Sequence, residues 1–350
     1  MPLRAGMMTA VKAPFWSLSV LTGAKSFIGN PVIGSERLNR LGLHEARMRT
    51  AARLARHRRR GLASGVSEAD RLAFERDGFV VKSDFLPEAD FEHLRAEILD
   101  HDWDAREMRQ GHTVTRRVFL DEASLRLTKP GLAAFMTRPD LSSLIRYVGG
   151  TGGVPVMSIQ SILANQGVGA DDPQCAIHSD TFHSTSKAWF FLHDVGPEDG
   201  PFFYVPGSHT LTPQRLAWER AQSIAASRHD MRQQDMRDHA EGSFRISRDD
   251  LKALGLPQPQ PVAVKANTLV VADTFGFHGR TPSPKATQRV ELYSTLRRNP
   301  FLLWTGFDPL ALPVVKQRMG SFLTMLDRVG IAPMPWKPVG RLRLDAPPQI

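Results

Sequence analysis

The sequence predicts a mainly β protein with flanking helices, its strands gathered into a closed or double-sheet architecture. Two observations point there. Helical patterns and their caps occupy the chain up to about residue 150, and short β-branched and aromatic runs separated by Gly and Pro turns dominate after it. With 350 residues, 41% of them apolar and 23% charged, the chain can bury one large core and still carry additions.

The first element is a basic arm, residues 1–65. Its first 60 residues hold twelve Arg or Lys against two Glu, whereas the whole chain is +9, so the remainder is almost neutral. A neutral body argues against a nucleic-acid-binding face and directs attention to what the arm touches. Within it, Ala13–Ala24 is apolar and bears Trp16, but its 12 residues between Lys12 and Lys25 fall short of the roughly 20 that cross a bilayer. Leu38, Leu41, Met48, Ala52 and Ala55 then recur near helical spacing, with Arg37, Arg40, Arg47, Arg53, Arg56, Arg58, Arg59 and Arg60 as the polar side. Three readings stand. Residues 13–60 lie against an anionic membrane surface, each nearby Arg contributing about 1 kcal/mol; or the arm wraps the body or leaves its arginines solvated; or it is a leader, although no small-x-small cleavage pattern follows the apolar run.

A domain is expected from residue 66 to about 310. Ser67-Glu-Ala-Asp70 has the form of a helix N-cap, Gly78 is a stop, and Phe79-Val-Val81 a first strand. Pro87 to Asp100, with Phe91, Leu94, Ile98 and Leu99 on one side, reads as an amphipathic helix, and a third helix spans about Pro139 to Tyr147. Strands are expected at about 154–165, 174–180, 187–195, 202–206, 262–272 and 289–297. An insertion at about 212–250 interrupts them: Pro213 to Ser227 has a helical pattern, and the polar run to His239 must be exposed, as in a lid or substrate wall. Residues 311–350 supply a helix from Pro313 to Val329, stopped by Gly330, and an extended tail.

His178-Ser179-Asp180, with His278 and Arg289 downstream, carries the chemistry. In an extended segment residues i and i+2 share a face, so His178 and Asp180 can aim at one ion while Ser179 turns away. Two imidazoles and a carboxylate form the facial triad that holds non-haem Fe(II) and leaves the opposite positions open. The β-rich run Asn267–Asp273 leads to His278; Gly276, Gly279, Pro282 and Pro284 mark a turn, and Arg289–Leu296 alternates as a returning strand. A hairpin is therefore expected to bring His278 and Arg289 together. Arg289 suits a dicarboxylate as a bidentate partner, and Arg280 competes with it from the turn. A His-x-Asp pair alone is weak; the run from Gly200 to His209 and the distal pair add the context. His183 is open as a pocket residue or a structural one. Cys175, the one cysteine, excludes an internal disulfide and reads as a buried thiol in a reducing compartment.

These residues resemble the phytanoyl-CoA dioxygenase family, a branch of the 2-oxoglutarate oxygenases. The resemblance begins at Phe74-Glu-Arg-Asp-Gly78-Phe-Val-Val81 and runs to about Pro300. It implies a double-stranded β-helix, the jelly-roll core of cupin-like enzymes. It also implies a catalytic metal triad of His178, Asp180 and His278, a 2-oxoglutarate arginine at Arg289, and a co-substrate border at Trp189 in Lys187-Ala-Trp-Phe-Phe-Leu192. Gln160 and Gln166 are similar to pocket-lining positions of ectoine-hydroxylase-like members, where the position of Gln166 often holds lysine, and Arg117 is a further candidate contact.

The implied chemistry uses Fe(II), with 2-oxoglutarate and O2 as co-substrates and ascorbate as an accessory, and releases succinate and CO2. Its substrate would be an unactivated C–H of a small molecule or a lipid or acyl chain; related halogenases lack the carboxylate that Asp180 supplies, which argues for hydroxylation. The supply of iron and 2-oxoglutarate points to the cytoplasm, at the inner membrane surface if the arm binds lipid. Two other readings remain open: a cupin-like metalloenzyme that does not use 2-oxoglutarate, and a non-catalytic barrel that docks to membranes through its arm.

Overall fold

The computed structural model describes residues 15–165, 172–228, 237–306 and 308–350. Strands β1 (Phe79–Lys82), β2 (Asp102–Gln110), β3 (Thr113–Phe119), β4 (Val156–Ala164), β5 (Ser186–Phe191), β6 (Phe202–Tyr204), β7 (Gln260–Pro261), β8 (Thr268–Asp273), β9 (His278–Arg280), β10 (Thr287–Leu296) and β11 (Lys337–Arg343) form two sheets. The larger runs β1-β8-β5-β10-β4-β3-β2-β11 and the smaller β7-β6-β9. Every pairing is antiparallel. This is the double-sheet β architecture with flanking helices that the sequence predicts, in the jelly-roll form that the resemblance implies.

Period-2 alternation divides the large sheet's side chains between two cores. Trp189, Phe191, Val270 and Tyr293 point toward the small sheet, where they meet Phe202 and Tyr204. Ala188, Phe190, Leu269, Val271 and Leu292 point the other way, into the main core. That core is closed by helices α4 (Glu88–Leu99), α6 (Pro130–Met136) and α7 (Pro139–Gly149), through Phe91, Leu94, Leu132, Phe135, Leu144 and Ile145. Further helices up to residue 226 include α1 (Glu36–Arg40), α2 (Leu43–Leu62), α3 (Glu68–Asp77), α5 (Glu122–Thr128) and α8 (Pro213–Ala226). The Ser67 side chain accepts from the Asp70 amide and Gly78 closes α3 in the left-handed region (φ 86°), as the sequence signals there require.

Several expectations change. The segment expected as a strand at 174–180 is a short turn at Pro173–Cys175 followed by isolated bridges from His178 to Arg245 and His278. The hairpin β2–β3 was not expected, because Asp102–Gln110 is charged at most positions. Its inward face holds Glu107, which pairs with Arg116 of β3 at 2.6 Å, both side chains fully buried. Arg116 also donates to the carbonyls of Arg343, Leu344 and Pro347. The tail is thereby drawn onto the sheet as β11. The C-terminal helix is two helices, Pro313–Gln317 and Met319–Arg328, which break at Arg318.

The arm's helix packs on the body. Met48 and Ala51 join Phe182, Leu216 and Phe275 in a buried cluster. Arg47 donates to the carbonyls of Val20, Thr22 and Ala24, and Arg58 to those of Gly150, Pro300 and Leu302. Arg59 reaches the Tyr147 and Val148 carbonyls at the end of α7 and the Asp273 carboxylate at 3.0 Å. Between α2 and α8, His44 lies 3.1 Å from Glu219, which pairs with Arg215 at 2.8 Å, all three buried. Much of the helix's apolar stripe and several of its arginines are thus committed inside the protein, while Phe15, Leu18, Leu21 and Leu41 stay exposed. No helix among the described residues is long and apolar enough to cross a membrane.

Candidate metal centre

Backbone pairing between two distant segments brings the triad together. The His178 and His278 amides each donate to the other's carbonyl, at 3.0 and 2.9 Å, and the Asp180 amide donates to the Thr274 carbonyl at 2.9 Å. The two imidazoles are thereby fixed with centroids 4.7 Å apart. The i, i+2 spacing keeps His178 and Asp180 on one side, while Ser179 is held at the Phe244 carbonyl.

The donor atoms face one point. Asp180 Oδ1 lies 3.8 Å from His178 Nε2 and 3.6 Å from His278 Nε2, and one ligand atom from each residue lies within 4.8 Å of the others. His178 Nδ1 is 2.7 Å from the Ala176 carbonyl and His278 Nδ1 2.9 Å from that of Gly276. A carbonyl can only accept, so both Nδ1 atoms carry the proton and both Nε2 lone pairs face inward, the tautomer that metal-ligating histidines need. His278 Nε2 is buried with no hydrogen-bond partner. Burial, reinforced by the neighbouring His278, lowers the His178 pKa to about 3, so it is a neutral donor at physiological pH. Burial pushes the Asp180 carboxyl up, but Lys187 and the histidines outweigh it and hold the group well below the usual range. Two imidazoles with free inward lone pairs and an ionised carboxylate fit a divalent ion of the Fe(II) type.

Beside the triad is a cavity of about 200 Å³ whose lining includes Arg117, Gln160, Lys187, Trp189, His278 and Arg289. Six of the residues singled out from sequence, Arg280 among them, thus converge on it; Gln166 lies outside the described residues. The expected hairpin between His278 and Arg289 does not form. His278 is on β9 of the small sheet and Arg289 on β10 of the large one, so the two face each other across the sandwich. The intervening Pro282 and Pro284 cannot donate to a ladder, which suits a crossing between sheets.

Arg289 is buried, donates to the Gly200 carbonyl, and has its Nε 3.4 Å from Glu291 Oε2. Burial lowers its pKa to about 10, opposed by Glu291, so it remains a cation at neutral pH. Glu291 in turn accepts from Gln160 at 2.6 Å, and Gln160 accepts from Arg117 at 2.8 Å. The Arg117 guanidinium stacks between Tyr293 and Trp336, 4.3 and 4.5 Å from their ring centroids. Trp189 packs on Phe202, centroids 4.6 Å apart. Arg280 lines the same cavity but is paired with Asp172 at 2.7 Å. His183 is buried with Nδ1 at the Ser184 carbonyl, and Cys175 is half-buried.

Three residues of this site were missed from sequence. Lys187 lies 2.7 Å from Asp180 Oδ2, leaving Oδ1 for the point shared with the imidazoles. Period 2 could have found it, since Lys187 precedes Trp189 by two residues on the same face; the same rule points from Arg289 to Glu291. Lys25 donates to the Asp180 carbonyl at 2.7 Å from a segment 155 residues away, and nothing local announces that.

Residues 74–243 match the family model described as phytanoyl-CoA dioxygenase. That stretch contains His178 and Asp180 and ends before His278 and Arg289. No curated protein matches the chain. Solved structures with partial likeness include the non-haem α-ketoglutarate-dependent epimerase SnoN from nogalamycin biosynthesis (19% identity, 65% of this chain and 81% of that one, TM-score 0.40). HygX from Streptomyces hygroscopicus, with nickel, 2-oxoglutarate and hygromycin B bound, is 16% identical over 66% of this chain and 86% of its own (TM-score 0.42). The carbocyclase SnoK from nogalamycin biosynthesis is 20% identical over 68% and 85% (TM-score 0.39). At that level of similarity they say nothing of what this chain acts on.

Proposed function

We propose that this chain, which carries a phytanoyl-CoA dioxygenase domain over residues 74–243, is an Fe(II)- and 2-oxoglutarate-dependent oxygenase that hydroxylates an unactivated C–H bond. One observation supports this above the rest: His178, Asp180 and His278 turn their donor atoms to one point beside a cavity with a buried arginine in its wall. When bound, Fe(II) and 2-oxoglutarate would supply the O2-activating chemistry, with one oxygen atom ending in succinate as CO2 leaves and the other in the hydroxylated substrate.

Each residue then has a task. Asp180 and the two imidazoles hold the ion and leave its remaining positions open. Lys187 steadies the second carboxylate oxygen of Asp180, which keeps Oδ1 aimed inward. Arg289 pairs with the distal carboxylate of 2-oxoglutarate, an anion that would otherwise be uncompensated inside the sandwich. Arg117 and Gln160 hold Glu291 in place against Arg289. Trp189, Phe202 and Tyr293 exclude water from the same cavity. Ascorbate would serve only to keep the iron ferrous.

The substrate is a small molecule or a lipid or acyl chain. Peripheral membrane contact would draw on the exposed Phe15, Leu18 and Leu21, since Arg47, Arg58 and Arg59 are committed to the body. A cytoplasmic site, where iron and 2-oxoglutarate are supplied, suits this reading. The deciding experiment adds 2-oxoglutarate to the anaerobic Fe(II) protein and watches for a new visible absorption band. Its absence, with iron bound, would favour a metalloenzyme of the same core that does not use 2-oxoglutarate. Comparing metabolites and lipids with and without the gene, for a species that gains one oxygen, then identifies the substrate.

A further inference from the structure

A second and larger cavity, about 520 Å³, opens between the arm's helix α2, α3 and the back of the metal-bearing loops. Its charge is one-sided. Arg56 and Arg60, one turn apart on α2, and Arg71 on α3 line it, against a single acid, Glu75. Other arginines of the arm are committed: Arg40 to Glu36, Arg49 to Glu45, Arg47 and Arg58 to backbone carbonyls, and Arg59 to Asp273. Arg56, Arg60 and Arg71 have no ion pair among the described residues, and Arg71 Nε is buried without any hydrogen-bond partner. An unsatisfied buried guanidinium N–H costs free energy that a ligand anion can recover.

The rest of the lining is mostly apolar and aromatic, with Met48, Phe182 and Phe275 among its residues beside the polar His183, Ser184, His209 and Thr210. A cationic rim over an apolar floor suits one kind of ligand. We infer that this cavity binds an amphiphilic anion, its carboxylate or phosphate held by Arg56, Arg60 and Arg71 and its apolar body laid against Phe182 and Phe275. A cation would meet repulsion at the rim, and a fully polar anion would leave the aromatic floor wet. The three arginines precede the family-matched stretch, whereas Phe182 lies within it, so the cationic rim and the aromatic floor come from different parts of the chain. It adjoins the metal centre without sharing its donors: Phe182 follows Asp180 by two residues and Phe275 precedes His278 by three.

The test uses the full-length, metal-free protein, so that it stands or falls independently of the iron chemistry. Decanoate, decyl phosphate and decyltrimethylammonium, each below its micelle concentration, are titrated calorimetrically. At least one anion should bind at a single site while the cation does not, and the stronger of the two anions identifies the headgroup. Arg56→Glu with Arg60→Glu, both exposed, should weaken that anion by about tenfold or more, as expected for losing charge-assisted contacts. Arg56→Gln with Arg60→Gln should give an intermediate loss, with unchanged circular dichroism in each variant. Binding of the cation as tightly as the anions would overturn the assignment, and so would no saturable binding of either anion or an anion affinity within twofold of wild type after charge reversal.

Discussion

Replacing Arg289 with methionine isolates the step that separates a 2-oxoglutarate enzyme from any other metal-binding β-sandwich. Methionine fills similar volume on β10 and removes only the guanidinium. Of that group's nitrogens, Nη1 is taken by the Gly200 carbonyl and Nε faces Glu291 at 3.4 Å, while Nη2 makes no hydrogen bond among the described residues. The co-substrate's carboxylate therefore has one nitrogen immediately available and a second only in competition with Glu291. A single charge-assisted bond contributes about 1.5–3 kcal/mol. At about 1.4 kcal/mol per tenfold, the 2-oxoglutarate Kd should rise roughly 10- to 150-fold, with Glu291, left without its cation, adding repulsion. Affinity is read from the 2-oxoglutarate-dependent absorption of the anaerobic Fe(II) protein, and iron binding is measured separately. Arg289→Met with Glu291→Gln serves as control: it should recover stability lost by stranding Glu291 without recovering affinity. If the single variant binds 2-oxoglutarate within about threefold of wild type while holding iron normally, Arg289 is not the co-substrate's partner and the reasoning fails.

Further outcomes are expected. Asp180→Ala removes the one anionic donor and leaves the half-buried Lys187 without its partner; iron retained after loading and dialysis should fall to background, and near-normal iron content or turnover would remove the triad assignment. Arg116→Met strands Glu107 in a fully buried position and releases three carbonyls of the tail, so unfolding in urea should show a loss of about 3–5 kcal/mol. A change under 1 kcal/mol would mean the pair is not desolvated as the structure has it. Acid sensitivity has a definite sign. Burial lowers the pKa of His183 and His209 to about 3 and of His239 to about 4, from an ordinary 6.5. The unfolded chain therefore binds protons below about pH 6.5 that the folded one does not. Stability should be full above that pH and fall as the pH drops toward 3, by up to about 1.4 kcal/mol per unit for each imidazole. Equal urea midpoints at pH 7 and pH 5 would contradict it.

The parts legible in the sequence were those whose signal is local. Ser67 and Gly78 delimit α3 because caps act within a few residues, and the apolar runs of β4, β5, β8 and β10 declare strands buried on both faces. β2 hid behind its charges because the partner that makes Glu107 tolerable, Arg116, is on another strand. The arm's arginines looked like a membrane or solvent face because a cation bound to a backbone carbonyl has the same sequence signature as one in water. Arg58 illustrates this, its partners lying 92 residues away and beyond.

By itself the sequence determined which side chains could hold a metal and a dicarboxylate, since a carboxylate two residues from an imidazole shares its face in any extended backbone. It also determined that the half holding those side chains would be built of strands. Only the tertiary structure decided that His278 meets His178 through a reciprocal pair of backbone hydrogen bonds, and that Arg289 confronts them from the opposite sheet instead of along a hairpin. It alone placed Lys187 and Lys25 on Asp180. The physical reason is range: propensity and periodicity act over a few residues, whereas contacts such as His178 with His278 and Lys25 with Asp180 join groups roughly a hundred or more positions apart, which meet only once the chain has folded.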